Sequence, residues 1–248
     1  MAVEKFDLIL DHAEKITPHV LHMEFHRADG KALDYVPGQF ITCLFTKDGA
    51  IKRRSYSIAT IAGQTDKIQI ALTYVKDGIA SETLFNLKPG EALPAMGPVG
   101  RLIMADDPEK SRYILVATST GVSPYRSMLP SLAKRFSERP DFAVDLLLGV
   151  QYRADLLYIQ DFVEFALKHP KQFRLHAHLS REDLANNKAS YECSGHVQTE
   201  FADLKLNPEG DVVYLCGNPD MIDESYAELT ELGFAVKDVR REKYISSR

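Results

Sequence analysis

Tyr113-Ile114-Leu115-Val116-Ala117-Thr118-Ser119-Thr120-Gly121-Val122-Ser123-Pro124 is the stretch that decides the fold. It opens with an unbroken apolar run, as expected of a strand buried on both faces of a sheet. A polar segment with a single glycine follows, and Pro124 suits the first turn of a helix read over Tyr125 to Phe136. The same order then recurs. Ala143–Gly149 reads as a strand, Gln160–Lys168 as a helix, Phe173–Leu179 as a strand, Val212–Cys216 as the last strand and Pro219–Leu232 as a helix. Strands alternating with helices predict an α/β doubly wound parallel sheet. Ligands of such sheets bind beyond the carboxyl ends of the strands. The segments Thr118–Pro124 and Cys216-Gly217-Asn218-Pro219 both occupy that position.

Ahead of this half the pattern is different. Leu21–His26, Phe40–Phe45 and Ile68–Val75 alternate apolar with polar residues, and Asp29-Gly30, Pro37-Gly38, Asp48-Gly49, Asp77-Gly78 and Pro89-Gly90 punctuate them. Many short strands with Gly and Pro turns predict a closed or nearly closed antiparallel β-barrel, interrupted by one helical piece near Ser81–Leu87. The expected domains are therefore 1–106 and 111–248, joined by the polar linker Ala105–Ser111.

Composition narrows the function classes. The chain has 248 residues, enough for one large domain or two of ordinary size, and its 45% hydrophobic and 26% charged residues are the composition of a soluble globular protein. A net charge of -5 argues against a general nucleic-acid binder. The three cysteines, Cys43, Cys193 and Cys216, are far apart, which excludes a self-contained four-cysteine iron–sulfur site and suggests a reducing compartment. There is no leader-like N-terminus and no apolar run long enough to span a bilayer, so a cytoplasmic protein is expected. Of the histidines, His176 and His178 share a strand face, and they read as a packed or solvated pair rather than metal ligands. No metal site is expected.

Arg54-Ser55-Tyr56-Ser57 carries the most suggestive chemistry. In an extended stretch Arg54 and Tyr56 point one way, and Ser55 and Ser57 the other. A guanidinium and a phenol face on one side suit a ligand with a diphosphate and a planar ring system. The same residues also suit an ordinary strand with an exposed basic start. Asp77-Gly78-Ile79-Ala80-Ser81 stands where a strand hands over to a helix, and serves either as an anion site or as a helix start capped by Ser81. Asn218 can cap the helix that begins at Pro219, and Cys216 is a small polarizable side chain at a candidate ligand position. Ser180 and Arg181 follow another strand, where Arg181 is placed to grip a phosphate.

Taken in order, Pro37-Gly38-Gln39-Phe40, Arg54-Ser55-Tyr56-Ser57, Gly78-Ile79-Ala80-Ser81, Gly97-Pro98, Thr118–Pro124, Cys216-Gly217-Asn218-Pro219 and Glu242-Lys243-Tyr244 resemble the ferredoxin–NADP reductase family, short bacterial type, over essentially the whole chain. That resemblance implies FAD on the barrel and NADP(H) on the α/β domain. It implies that Arg54 holds the FAD diphosphate, Tyr56 stacks on the flavin, and Ser57 hydrogen-bonds near flavin N5. Ser55, Leu72, Tyr74, Gly78, Ile79, Ala80, Ser81 and Thr120 are the other FAD candidates. For NADP(H) they are Thr120, Gly121, Arg153, Ser180, Arg181, Cys216, Gly217, Asn218 and Pro219. Ser57, Cys216, Glu242 and Tyr244 are the implied catalytic set, with the C-terminal tail returning to the flavin and Tyr244 covering one of its faces.

Two family arginines that bind the 2′-phosphate are absent, replaced by Gln151 and His196, and Arg153 is a candidate substitute. The tail Ile245-Ser246-Ser247-Arg248 is expected near the FAD adenine. The implied partner is an acidic ferredoxin or flavodoxin, steered by Lys52, Arg53, Arg240 and Arg241 to a monomeric enzyme. Two alternatives remain at this stage: a reductase feeding an oxygenase or reducing free flavin, and a non-catalytic FAD- or nucleotide-binding module.

Overall fold

The computed structural model describes residues 3–244. They fall into two compact units, one of residues 3–104 with 123–130, the other of residues 105–122 with 131–244. The expected contact of the tail Ile245–Arg248 lies outside the described residues.

The first unit contains β1 (Glu4–Lys15), β2 (Val20–Arg27), β3 (Phe40–Lys47), β4 (Ala50–Ser57), β5 (Ile68–Thr73), α1 (Ile79–Asn86) and β6 (Ala92–Val99). Its strands run in the order β4-β3-β6-β1-β2-β5, and every pairing is antiparallel. Immediately past β4, the Ala59 N–H donates to Gln69 O on β5 at 2.8 Å. The two edges of the sheet thus meet, giving the nearly closed barrel expected from the sequence. Alternate residues fill it: Leu8, Leu10, Met23, Phe25, Ile41, Cys43 and Ile70 are all buried in one core.

Besides β4, which reads only as a candidate extended stretch, two of these strands do not show in the alternation of the sequence. β1 does alternate at Phe6, Leu8 and Leu10 but bulges between Leu10 and His12, which breaks the period. β6 carries Pro94 and Pro98, residues that argue against a central strand. The barrel accommodates Pro98, which has no N–H to donate, where the β3–β6 register shifts between Phe40 and Thr42.

In the second unit the order is β7 (Arg112–Thr118), α2 (Ser123–Glu138), β8 (Ala143–Val150), α3 (Ile159–Lys168), β9 (Phe173–Leu179), β10 (Glu192–Ser194), α4 (Phe201–Leu204), β11 (Asp211–Gly217), α5 (Pro219–Glu231) and β12 (Val239–Lys243). The first residues of α2, 123–130, group with the barrel unit. The sheet order is β10-β9-β8-β7-β11-β12, all parallel. Ile114, Val116, Leu147, Val213 and Leu215 pack one face against Val197, Phe201, Ile222 and Leu229. β11 is not the last strand, as the sequence reading had it. β12 is a charged edge strand with one buried apolar residue, Val239, so hydrophobic periodicity does not reveal it.

The segment read as a linker is built into the second unit. Ala105 donates its N–H to the Tyr214 hydroxyl at 2.7 Å, and its carbonyl accepts from the Tyr113 hydroxyl. Lys110 is buried, with Nζ 3.1 Å from Asp238 Oδ2 and donating to Pro208 O at 2.9 Å. Among the described residues no helix is long and apolar enough to cross a membrane.

In the barrel unit, Gly38 donates its N–H to Ser127 Oγ at 3.1 Å. It has φ +100°, and a Cβ there would stand 2.1 Å from Leu102 O and 2.6 Å from Met128 Cε. Gly38→Ala combines a left-handed backbone with overpacking, so it should cost about 3 kcal/mol of unfolding free energy, measured by urea titration.

Candidate functional site

On the barrel, β3 and β4 pair Ile41 with Tyr56, Thr42 with Ser55 and Cys43 with Arg54. Tyr56 packs half-buried on the barrel core. Burial pushes its phenol above the ordinary value, Cys43 adds to this, and the nearby Arg54 guanidinium opposes it. Phenol and guanidinium are therefore neighbours, as the alternation requires. Arg54 Nη1 donates to Arg53 O at 2.8 Å, and among the described residues no carboxylate pairs with it. Ser55 Oγ lies 3.1 Å from Thr42 Oγ1, and Ser57 is buried at the strand end.

The helix start on this unit is an open donor site. Gly78 is the N-cap of α1, and no side chain caps it. Ser81 is not the cap: it lies inside the first turn, where its Oγ accepts the Val75 N–H at 2.8 Å. Glu82 N–H to Gly78 O is the first helical bond, which leaves the amides of Ile79, Ala80 and Ser81 without a helical acceptor. An unpaired guanidinium and an uncapped helix start are the donor set a diphosphate needs. Leu72 points into the core, so only its backbone is available to a ligand. Tyr74 is 49% exposed and meets Phe85 edge to face.

In the sheet unit the strand order reverses direction at β7 and β11, the topological switch point of a doubly wound sheet. There the two loops approach closely. A Cβ on Gly121 would meet Cys216 O at 2.3 Å, and one on Gly217, which has φ +123°, would meet Thr118 Oγ1 at 2.4 Å. Thr118, which the sequence reading placed in this segment without giving it a role, accepts the Asn218 N–H at 2.8 Å. Thr120 is half-buried in the turn Ser119–Val122. Ser123 Oγ is buried and, among the described residues, without a hydrogen bond. Asn218 caps α5, with its side-chain oxygen accepting from Asp220 N–H at 2.7 Å and from Met221 N–H at 3.4 Å, and Pro219 takes the first turn.

Cys216, Glu242 and Tyr244 come together. β12 runs beside β11 with Glu242 opposite Cys216, and the Tyr244 N–H donates to Gly217 O at 2.8 Å. Burial pushes the Cys216 thiol well up, the Glu242 carboxylate adds to this, and a hydrogen bond with Tyr244 works the other way. Cys216 is 0% exposed and stays a neutral thiol, not a nucleophile.

The arginines separate by availability. Arg153 Nε and Nη2 donate to the buried Glu192 carboxylate at 2.5 and 2.7 Å, Nη2 also reaches Asn187 O at 2.5 Å, and Nη1 lies 3.7 Å from Glu182 Oε1. It is committed to the fold, which removes it as a stand-in for the absent family arginines. Nothing in its own neighbourhood of the sequence signals this, because Glu192 is distant along the chain. Arg181 is exposed at the end of β9, where its N–H donates to Gln151 O at 3.0 Å. Ser180 Oγ donates to Val150 O at 3.3 Å. Arg240 lies over the Tyr214 ring and Arg241 over the Tyr226 ring. Adjacent on β12, they face opposite sides of the sheet and do not form one basic patch.

Comparison with known proteins agrees with this division. Residues 7–103 match the oxidoreductase FAD-binding domain and residues 115–226 the oxidoreductase NAD-binding domain. The chain is 33% identical to ferredoxin–NADP reductase B of Sorangium cellulosum, over 97% of this chain and 98% of that protein. It is also 33% identical to the chloroplastic leaf isozyme 1 of ferredoxin–NADP reductase from Arabidopsis thaliana, over 67% of this chain but only about half (51%) of that protein. Among solved structures, a Neisseria gonorrhoeae ferredoxin NADP+ reductase with bound FAD and NADP superposes with a TM-score of 0.82 at 19% identity, over 97% of this chain and 99% of that one. At that identity the likeness concerns the fold alone.

The two readings of Asn218, cap and ligand contact, are separable by stability. Asn218→Ala should cost about 1 kcal/mol in chemical denaturation, and Asn218→Asp should restore it, because the cap needs only the side-chain oxygen.

Proposed function

The chain belongs to the ferredoxin–NADP reductase family, and we propose that it works as a FAD-dependent oxidoreductase between NADP(H) and a one-electron carrier through the residues described above. The observation that carries this reading is the pairing, in one chain, of an uncommitted Arg54 beside Tyr56 with the Cys216–Glu242–Tyr244 cluster. A module that merely stored a nucleotide would need the first but not the second.

Bound FAD supplies the exchange between two-electron and one-electron chemistry. Arg54 and the first-turn amides of α1 bind its diphosphate, and Tyr56 offers a ring face to the flavin. Ser57 provides a hydroxyl at the end of β4. Thr120 and the backbone at Gly121 and Gly217 receive the nicotinamide nucleotide, at loops that pack too closely on each other to admit a side chain at either glycine. Cys216, buried beneath Tyr244, contributes a neutral thiol next to this position, and Glu242 sets the local charge. Tyr244 guards the position that the nicotinamide must reach. Arg181, with Ser180, grips the 2′-phosphate.

Lys52 and Arg53 are exposed and steer an acidic ferredoxin or flavodoxin despite the net charge of -5. The enzyme acts as a monomer in the cytoplasm, a setting supported by three cysteines with no disulfide.

The test is optical. Purified protein should be yellow, bleach with NADPH under anaerobic conditions, and regain colour with ferricyanide or ferredoxin; a colourless protein that does not take up FAD overturns the reading. Arg54→Gln should weaken FAD binding about 10- to 100-fold, the worth of charge-assisted contacts to a diphosphate.

Nucleotide choice isolates the role of Arg181. The ratio of kcat/KM for NADPH to that for NADH should favour NADPH and fall about tenfold or more in Arg181→Ala, the worth of a lost charge-assisted hydrogen bond. Arg153→Met should lower the melting temperature and leave that ratio unchanged.

A further inference from the structure

Away from the residues given redox roles, β9, β10 and the turn before α4 bring together a cluster that the sequence scatters over twenty-five positions (176 to 200). His178 and Cys193 are register partners on the parallel strands β9 and β10. His176 precedes His178 by two and shares its face. Glu200 closes the turn Val197–Glu200, which Val197 and Phe201 pin into the core.

One ligand atom each from His176, Cys193 and Glu200 lies within 4.8 Å of the others. His176 Nδ1 is 3.2 Å from Glu200 Oε1, and His178 Nε2 is 3.5 Å from Glu200 Oε2. His178 supplies the independent sign. It is 1% exposed, and among the described residues neither ring nitrogen has a hydrogen bond. Burying an imidazole without partners is costly, and the Glu200 contact at 3.5 Å does not meet hydrogen-bond geometry.

We propose that His176, His178, Cys193 and Glu200 bind a divalent transition-metal ion of the zinc class. The donor set is the mixture of imidazole, thiolate and carboxylate that zinc accepts. Tetrahedral zinc with bonds of about 2.0–2.3 Å has ligand atoms roughly 3.3–3.8 Å apart. The atoms of His176, Cys193 and Glu200, which lie within 4.8 Å of one another, draw together on binding, and His178 turns in to join them. The outer shell is already in place. His176 Nε2 lies 3.2 Å from Asp145 Oδ1, and Asp145 is buried and held by Arg174 Nε and Nη2. With Nε2–H donated to that carboxylate, Nδ1 is left as the lone-pair donor facing Glu200, the arrangement of a carboxylate–histidine–metal triad. On binding, the ion replaces the proton of the Cys193 thiol. The reading of His176 and His178 as a packed or solvated pair lacked Cys193 and Glu200, which only the fold brings to them.

Untagged FAD-loaded protein, dialysed against chelator, tests this with zinc and with cobalt as a spectroscopic substitute. One zinc per chain should bind at micromolar concentration or tighter, and cobalt should show a thiolate charge-transfer band with the strong visible absorption of a tetrahedral centre. Cys193→Ser should abolish the charge-transfer band while NADPH-linked activity is retained. His178→Ala should weaken zinc binding about tenfold or more. Absence of saturable zinc binding in the wild-type protein overturns the proposal, as does zinc binding with unchanged affinity in Cys193→Ser. A salt-bridge network alone would give the first of these results. The wild-type cobalt spectrum requires no variant to fold, and none of these readouts depends on the electron carrier.

Discussion

Thr118 Oγ1 accepts the Asn218 N–H across the ends of β7 and β11, and it reaches that N–H because Gly121 and Gly217 carry no side chain. Much of the sheet unit's chemistry follows from this close approach. It brings the backbone of both loops to the switch point, the position at which doubly wound sheets take their ligands. Cys216 stands one residue before Gly217, and β12 is registered against the same strand, so Glu242 falls opposite the thiol. Asn218, one residue after Gly217, begins α5. A side chain at Gly217 would therefore disturb the strand end, the cap and the thiol cluster together.

Charge in this protein is decided by commitment rather than by count. Arg153 and Arg181 are both near the ends of sheet strands, but the first neutralises a buried carboxylate and the second faces solvent. Withdrawing Arg153 would leave Glu192 buried and unpaired, so the residue is held in place by its partner's desolvation. Arg240 and Arg241 illustrate the same principle through aromatic faces. Each stacks over a different tyrosine, and the strand pleat sends them to opposite sides. Among the described residues Arg54 has no such partner, which leaves its guanidinium available.

Both halves of the fold were legible where patterning is strong. The apolar run at Tyr113–Ala117 announces a doubly buried strand, and the alternation at Phe40–Phe45 and Ile68–Thr73 announces a barrel. Elements held by pairing rather than by periodicity were not legible. β12 is mostly charged, β6 contains two prolines, and β10 is three residues long. The linker at Ala105–Ser111 looked polar, but Tyr113, Tyr214 and Asp238 capture its backbone and Lys110.

By itself the sequence determined the family, the barrel followed by the parallel sheet, and which short segments are candidates for cofactor binding. Those are local matters: a residue type at a strand end or a helix start has the same physical meaning wherever its partners lie. Tertiary structure alone decided which polar groups remain available. It tied Arg153 to Glu192, made Ser81 a brace for Val75 instead of a cap, and set Glu242 and Tyr244 against Cys216. It also set Cys193 and Glu200 around two histidines. Availability depends on partners that are remote along the chain, and strand register is what brings them together.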